Sequence, residues 1–224
     1  MLKIESLNRY FDHTALKPQT TEAQIRELCA QALEYNFISV CINPCHIPLA
    51  KDILAGSDTA VCTVIGFPLG SMSTKAKVFE AKDAVTMGAE EVDMVINVSY
   101  ALDGKWDKLK QEILEVKKAC GQKITLKVIL ETCLLTDEQI IKACQMSMQA
   151  GADFVKTSTG FSSAGATTHH VKLMRDTVGP NLGVKASGGI RTLGDTLAMI
   201  EAGATRIGAS ASVAIIKESK KEVN

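Results

Sequence analysis

The stretch Ala150–Ser158, AGADFVKTS, joins the end of a helical pattern to a short apolar strand through a Gly-Ala turn. The same arrangement occurs at Met87–Val95 (MGAEEVDMV) and at Ala202–Ser210 (AGATRIGAS). Each copy marks a connection from a helix to a strand. A chain that repeats this connection alternates helices with parallel strands, so the repeat predicts an α/β fold.

The strand pattern extends this prediction over the whole chain. Short runs rich in β-branched residues are apolar on both faces, which is typical of parallel strands covered by helices. These runs are residues 10–16, 37–42, 60–67, 91–97, 124–131, 153–158, 182–187 and 205–210. Together with the amphipathic helices between them, they predict a single-domain TIM (β/α)8 barrel over residues 1–224. An open doubly wound sheet is the alternative, but it usually has a glycine-rich loop after its first strand, and residues 10–18 (YFDHTALKP) contain none.

Several helix boundaries are also readable. Thr136, with Gln139 three residues later, predicts a capping box, and Thr192 predicts a second N-cap. Gly151 and Gly203 stand where the corresponding helices should end.

The composition excludes several classes of function. The chain has 25 basic and 25 acidic residues, so no charge excess predicts nucleic-acid binding. No apolar run reaches the roughly 18 residues of a membrane span, and the N-terminus lacks a signal-peptide pattern. Seven scattered cysteines indicate free thiols in the cytoplasm, and the CINPCH segment (41–46) lacks a second ligand pair for a metal. The charged end KESKKEVN (217–224) predicts a solvated C-terminus.

Lysine occupies the interior of three consecutive predicted strands, at Lys127, Lys156 and Lys185. A single case would indicate a structural ion pair, such as Asp93 with Lys127, but a barrel brings the inward residues of neighbouring strands together. Two ammonium groups in a partly dry site repel each other and burial penalises their charge, so both effects lower the pKa of a lysine. A neutral amine attacks carbonyl groups. The pattern predicts Schiff-base chemistry, with either Lys156 or Lys185 as the nucleophile.

Small residues follow the last two predicted strands, in SGGI (187–190) and IGAS (207–210). Such loops let backbone N–H groups approach an anion, and barrels commonly bind phosphate at these two positions. The TSTGF segment (157–161) adds hydroxyl groups. No metal-ligand cluster or dinucleotide fingerprint accompanies them. The sequence therefore predicts a phosphorylated carbonyl substrate, no metal and no cofactor.

Eight motifs, in order from Asp12 to Ser210, resemble the deoxyribose-phosphate aldolases: DHTALKP, VCINP, VIGFPLG, EVDMVIN, LKVILET, GADFVKTSTGF, VKASGGIRT and RIGAS. This resemblance implies a class I aldolase on a TIM barrel. It also implies reversible cleavage of 2-deoxy-D-ribose 5-phosphate to acetaldehyde and D-glyceraldehyde 3-phosphate, in cytoplasmic deoxynucleoside breakdown.

The resemblance assigns roles that the residues alone leave open. It implies that Lys156 forms the Schiff base, that Lys185 perturbs the pKa of Lys156 and assists proton transfer, and that Asp93 is the proton donor and acceptor. The further implied site residues are Lys127 as a relay, Asp12 and Thr14 in the same polar network, and Cys41 next to the substrate. The implied phosphate-binding positions are Gly160, Gly188, Gly189, Gly208 and Ser210.

Three departures from the family pattern concern the substrate. Ala211 stands where some members have a second serine, and Phe161 where some have a lysine beside the phosphate. The chain also lacks the terminal tyrosine of some members. The alternative functions are another Schiff-base barrel aldolase, acting on a different sugar phosphate or a keto acid, and a non-catalytic sugar-phosphate sensor. Exposed apolar helix faces on barrels favour a homodimer.

Overall fold

Eight parallel strands close into a barrel in the computed structural model, which describes residues 4–222. The strands follow chain order around the barrel, and β1 pairs with β8 to close it. They are β1 (Phe11–Ala15), β2 (Ser39–Ile42), β3 (Ala60–Ile65), β4 (Glu91–Val95), β5 (Thr125–Ile129), β6 (Phe154–Lys156), β7 (Gly183–Ser187) and β8 (Arg206–Ala209). Each strand lies within one of the predicted runs, and the predicted TIM barrel is confirmed.

Helices surround the barrel in the described part of the chain. They are α1 (Glu22–Glu34), α2 (Ile47–Ile53), α3 (Thr74–Met87), α4 (Val98–Leu102), α5 (Trp106–Cys120), α6 (Asp137–Gln149), α7 (Thr168–Val178), α8 (Leu193–Glu201) and α9 (Ser212–Glu222). The predicted capping box is present, because the Thr136 side chain accepts from the Gln139 backbone N–H and the Gln139 side chain accepts from that of Thr136. Thr192 caps α8 as predicted. No helix within residues 4–222 combines the length and the apolar character that crossing a membrane requires.

The pleat of the strands separates two environments. Alternate residues point to opposite faces of a strand. On the outer face, residues such as Val128, Val155 and Val184 are fully buried against the helices and form the main hydrophobic core. On the inner face, the strands carry charged residues in place of the branched apolar side chains that usually fill such a barrel. The interior of the barrel therefore carries charged groups that packing of a core does not require.

The ends of the chain are only partly described. Residues 1–3 and 223–224 lie outside the described residues, so the predicted single domain over 1–224 is described only from residue 4 to residue 222. The charged end predicted to be solvated overlaps α9, where Lys217, Glu218, Lys220 and Lys221 are exposed. The C-terminal position at which some family members have a tyrosine lies outside the described residues. The charged side chains of residues 217–221 are exposed, as predicted, and the described part of the segment, through residue 222, is helical.

Candidate active site

The strand register brings the predicted polar residues into one cluster. Asp93 of β4 lies opposite Lys127 of β5, and Lys156 of β6 lies opposite Lys185 of β7. All four residues, together with Asp12 of β1, are at most 2% exposed. Five residues that are distant in the sequence therefore meet inside the barrel, because each occupies an inward position of its strand.

Asp93 is the centre of this cluster. Its Oδ2 accepts from Lys156 Nζ over 2.8 Å and from Lys185 Nζ over 2.7 Å, and its Oδ1 accepts from Lys127 Nζ over 2.9 Å. Burial opposes ionisation of this carboxyl group, but the three ammonium groups outweigh it and hold the pKa of Asp93 well below its usual range. Asp93 is therefore an anion at neutral pH, surrounded by cations.

Lys185 has a second carboxylate partner in Asp12, which also accepts from Arg206 over 2.6 Å. Burial again opposes both charges, but Asp12 and Asp93 raise the pKa of Lys185 above its ordinary value. Lys185 and the neighbouring cations lower the pKa of Asp12. Lys185 is thus held as a cation at neutral pH. The expectation that repulsion and burial lower the pKa of the lysine is wrong for Lys185, because the two carboxylates outweigh both effects.

The geometry changes one part of the sequence interpretation. From the residues alone we considered two effects on Lys156 and Lys185, their mutual repulsion and the burial of their charge. The structure adds shared acids from other strands, Asp93 from β4 and Asp12 from β1. The sequence analysis placed both acids in the site but did not predict these ion pairs, because they join strands that are far apart in sequence.

Two further charged residues extend the cluster toward the N-terminal ends of the strands. Glu91 accepts from Lys127 over 2.5 Å, and Arg206 donates to Glu91 over 3.0 Å. The Arg206 guanidinium also lies over the Phe154 ring, 5.3 Å from its centroid. Sequence reasoning missed both, although Glu91 stands two residues before Asp93 and Arg206 two residues before Gly208, which places each on an inward face.

Two cysteines complete the interior. The Cys62 thiol donates to Asp93 Oδ1 over 3.2 Å, and burial raises the pKa of Cys62 well above its ordinary value. A hydrogen bond with Cys62 lowers the pKa of Cys41, against the effect of burial. Cys41 is 1% exposed and packs with Leu16, so it lies beside the charged cluster without lining the cavity above it.

A cavity of about 680 Å³ opens over this cluster at the C-terminal ends of the strands. Lys156 and Thr14 line it, whereas Lys185, Asp93 and Asp12 lie beneath its surface. The predicted phosphate positions Gly160, Gly188, Gly189, Gly208 and Ser210 all line it as well. The position of a cavity of this kind agrees with the usual place of active sites in TIM barrels.

Gly208 has a second reason to lack a side chain. A Cβ atom at this position would lie 3.0 Å from Cε of Lys185 and 3.0 Å from Cβ of Ser187. Contacts of this length are tighter than normal packing, so glycine leaves room for the Lys185 side chain beside Asp12. Gly208 therefore both lines the cavity and leaves space for the Lys185 side chain of the charged cluster.

Glu131 holds the loop after β6 in place through hydrogen bonds with Thr159. Its side chain is buried and accepts from the backbone N–H of Thr159 over 3.2 Å and from the hydroxyl group of Thr159.

Phe161, which we singled out as a departure from the family pattern, lines the cavity with 48% of its surface exposed. Its ring meets that of Phe67 edge to face, with the centroids 5.2 Å apart.

Three groups of side chains in the described part hold possible metal-ligand atoms within 4.8 Å of one another: Cys41, Cys62 and Asp93; Asp12, Cys62 and Glu91; and Asp137, His169 and His170. In the first two groups the carboxylates already accept from lysine or arginine, so a metal ion would have to displace those cations. In the third, Asp137 contacts His169 over 2.7 Å at the N-termini of α6 and α7, where the helix dipole disfavours a cation. The geometry gives no group that is ready to hold a metal.

Comparison with known proteins shows the family of this chain. The family description of the DeoC/LacD family aldolases matches residues 7–218. Deoxyribose-phosphate aldolase 1 of Vibrio vulnificus is 58% identical over 210 residues, which are 94% of this chain and 95% of that protein. The deoxyribose-phosphate aldolase of Thermoanaerobacter pseudethanolicus is 59% identical over 218 residues, 96% of this chain and 98% of that protein.

The fold comparison leads to the same group. The tetrameric deoxyribose phosphate aldolase structure from Aeropyrum pernix superposes with a TM-score of 0.90 at 33% identity and covers 99% of this chain and 94% of that one. The match in sequence runs over nearly the whole chain, and the charged cluster lies where a barrel enzyme has its active site. The chain belongs to the DeoC/LacD family of aldolases and is an enzyme of the lyase class.

Proposed function

We propose that this aldolase reversibly cleaves 2-deoxy-D-ribose 5-phosphate to acetaldehyde and D-glyceraldehyde 3-phosphate, with Lys156 as the Schiff-base nucleophile. One observation carries the proposal. Lys156 is the lysine of the cluster that lines the cavity, and its Nζ lies 2.8 Å from Asp93 Oδ2, an oxygen that Lys185 also contacts over 2.7 Å. The amine thus faces the substrate space with a proton acceptor and a cation beside it.

The ion pairs of the cluster also distinguish Lys156. They connect four cationic side chains, Lys127, Lys156, Lys185 and Arg206, to three carboxylates, Asp12, Glu91 and Asp93. Of these four side chains Lys156 has a single carboxylate partner in the described part, so it has the fewest contacts to give up when it reacts.

The first stage forms a covalent intermediate. The neutral Lys156 amine attacks C1 of the open-chain aldehyde and a C–N bond forms. The carbinolamine hydroxyl group takes up one proton from the solvent and leaves as water, which gives a protonated imine, and the final hydrolysis returns that proton to the solvent. The imine carries the positive charge that the free amine lacked, and it lies beside the Asp93 anion, which stabilises that charge.

The second stage breaks the C2–C3 bond. The C3 hydroxyl group loses its proton through a water molecule to Asp93, which lies beneath the cavity surface. The C2–C3 electron pair moves into the imine, and the products are an enamine and D-glyceraldehyde 3-phosphate. The loss of the imine charge removes a cation from beside Asp93, which favours proton uptake by a carboxylate whose pKa is otherwise low. Lys185 and Lys127 hold this carboxylate in place throughout.

The last stage returns the enzyme to its starting state. Asp93 gives its proton to C2 of the enamine through the same water molecule, and hydrolysis of the resulting imine releases acetaldehyde. The glycine-lined loops at 188–190 and 208–210 would hold the phosphate through backbone N–H groups, so that binding energy far from C1 orients the reacting carbons.

Trapping with borohydride tests the assignment. The enzyme is incubated with 2-deoxy-D-ribose 5-phosphate and borohydride, and the reduced adduct is located by peptide mass spectrometry. We expect one adduct, on Lys156. An adduct on Lys185, or none, would overturn the assignment. Lys156→Met should remain folded and lose nearly all turnover.

The alternative substrates belong to the same reaction class. Another sugar phosphate or a keto acid would also form an imine at Lys156, so the products decide between them. Acetaldehyde released from 2-deoxy-D-ribose 5-phosphate, and not from other sugar phosphates at comparable kcat/KM, supports the proposal. A sugar-phosphate sensor without catalysis would bind the ligand but give no borohydride adduct.

We also propose a homodimer in the cytoplasm. Leu69 and Phe79 are 73% and 71% exposed, and burial of such apolar side chains against a second copy of the chain would favour association. None of the seven cysteines, all of which lie in the described part, forms a disulfide, as expected in a reducing compartment. Light scattering at several protein concentrations measures the mass, and a monomer at all of them would reject the dimer.

A further inference from the structure

Another buried ion pair lies outside the barrel interior, behind the end of β4. Lys77 of α3 and Glu112 of α5 are fully buried, and Lys77 Nζ lies 2.9 Å from Glu112 Oε2. Neither residue lines the cavity or contacts the charged cluster. The pair is thus separate from the groups that the proposed reaction uses.

Both members of the pair hold the backbone just beyond Asp93. Lys77 Nζ donates to the carbonyl oxygen of Val95 over 2.8 Å, and Glu112 Oε2 accepts from the backbone N–H of Asn97 over 3.1 Å. Between them, the backbone N–H of Ile96 donates to Ile129 of β5. The segment that leaves β4 is therefore fixed on two sides, two and four residues after Asp93.

The same face of α3 also holds the loop after β3. Glu80, three residues after Lys77, accepts from the backbone N–H of Gly66 over 2.6 Å. A Cβ atom on Gly66 would lie 2.9 Å from Cε of Lys77, so the lysine stem passes directly against this loop. Phe67, the next residue, packs on Cys41 and Cys62 beside the cluster. One helix thus fixes two segments that border the site.

The electrostatic balance of the pair is unfavourable. Burial lowers the pKa of Lys77 and raises that of Glu112, and in each case it outweighs the attraction between the two charges. Replacing a buried ion pair by apolar residues of similar volume is often neutral or stabilising. Stability alone therefore does not explain why two charges are buried here.

We propose that Lys77 and Glu112 are positioning residues, which fix the backbone at the end of β4 and thereby hold the Asp93 carboxylate where the three lysines share it. This inference rests on the proposed function only in taking Asp93 as the proton acceptor. A small displacement of a catalytic group lowers the rate about 100-fold. The rate gained by holding Asp93 in place would therefore outweigh the electrostatic cost of burying the Lys77–Glu112 pair.

The double variant Lys77→Met/Glu112→Leu tests the proposal, because it removes both backbone contacts while filling the space with apolar atoms. We expect kcat to fall by about 10- to 100-fold. The KM for the substrate should stay within a factor of about three, because the phosphate loops are on other strands. The pH profile of kcat should also change, since the environment of Asp93 changes. Tm should stay close to that of the wild type, because the cost of leaving two buried backbone groups without partners offsets the gain from removing two buried charges.

The matched control is Lys117→Met/Asp153→Leu. Lys117 lies 2.5 Å from Asp153, which accepts from the backbone N–H of Leu126 at the opposite, N-terminal end of β5. This control also replaces a lysine and its carboxylate partner and also removes backbone contacts, but far from Asp93, so its kcat should stay near that of the wild type. The conservative variant Glu112→Gln keeps an acceptor for Asn97 and leaves Lys77 bonded to Val95, and it should restore most of the activity.

Two results would overturn the inference: an unchanged kcat in the double variant, whatever its Tm and KM, or a Glu112→Gln variant as impaired as the double variant. If the double variant does not fold, the single variant Lys77→Met decides, because it removes the contact with Val95: a fall in kcat with unchanged KM supports the inference, and a wild-type kcat overturns it. Absence of activity in the wild type would instead reject the proposed function, so the two failures are distinguishable.

Discussion

Lys156 and Lys185 lie opposite each other in the register of β6 and β7, and both donate to the same oxygen, Oδ2 of Asp93. They differ in their other ion-pair contacts and in whether they line the cavity. Lys185 also contacts Asp12 and lies beneath the cavity surface, whereas Lys156 lines the cavity and has Asp93 as its single carboxylate partner in the described part. This difference distinguishes the two lysines by geometry, which the repeated sequence motif cannot do.

The first prediction concerns Lys185→Met. Removal of this cation takes away the second donor to Asp93 Oδ2, so the carboxylate beside Lys156 is held less firmly. We expect kcat/KM to fall at least about 100-fold at pH 7, since a small displacement of a catalytic group has an effect of this size. Steady-state kinetics of the variant beside the wild type measure the loss. A kcat/KM near that of the wild type would show that Lys185 has no such role.

The second prediction concerns Asp93→Asn. The amide keeps the shape of the side chain but does not take up the C3 hydroxyl proton, so kcat should fall by about 10²- to 10⁴-fold. Borohydride trapping of acetaldehyde on Lys156 measures imine formation separately and should be reduced less than kcat. A variant that traps no acetaldehyde yet remains folded would place the role of Asp93 in imine formation and not in C–C cleavage.

Much of this site was readable from the alternation of inward and outward residues. That rule, applied to β4, β5, β6 and β7, places Asp93, Lys127, Lys156 and Lys185 together. It did not reveal that Arg206 of β8 reaches Glu91 of β4, because these strands are not neighbours and their contact depends on the closed barrel.

Other contacts have no counterpart in any local pattern. Lys77 and Glu112 are on different helices, and each looks like an ordinary polar residue of an amphipathic helix. Only the packing of α3 against α5 shows that both are buried and that their partners are backbone atoms of the β4 segment. Helix pairing of this kind is set by tertiary structure, so the sequence predicted the helices but not the pair.

The third prediction concerns stability and pH through Asp12. The fold depresses the pKa of Asp12 and Asp93, so the stability that these ion pairs contribute is present above the ordinary carboxyl pKa of about 4 and is lost as the pH falls below it. Asp12→Asn leaves Lys185 and Arg206 short of a buried partner and should cost about 3–5 kcal/mol at pH 7.

The difference in unfolding free energy between Asp12→Asn and the wild type should shrink as the pH falls from 5 toward 3. Urea unfolding at a series of pH values measures it. The exposed variant Asp176→Asn is the control, because its pair with Lys172 lies on the surface and should contribute little at any pH. A constant difference for Asp12→Asn across the series would show that its contribution is not ionic.

The last prediction concerns Phe161, whose half-exposed ring lines the cavity near the glycine-lined loops. Phe161→Lys adds a cation at the mouth of a site that we propose to bind a phosphate dianion. We expect KM for 2-deoxy-D-ribose 5-phosphate to fall by about 3- to 10-fold, since an exposed ionic contact contributes roughly 1 kcal/mol. The KM for unphosphorylated 2-deoxy-D-ribose should not fall, and the effect should weaken with added salt.

Leu134→Lys provides the control for this prediction, because Leu134 is similarly exposed, at 46%, and does not line the cavity. It adds the same charge to the protein and should leave both KM values unchanged. If both lysine variants lower KM equally, the effect is one of overall charge. If Phe161→Lys lowers KM for the free sugar as well, the gain does not come from the phosphate, and removal of the Phe161–Phe67 contact would be its cause.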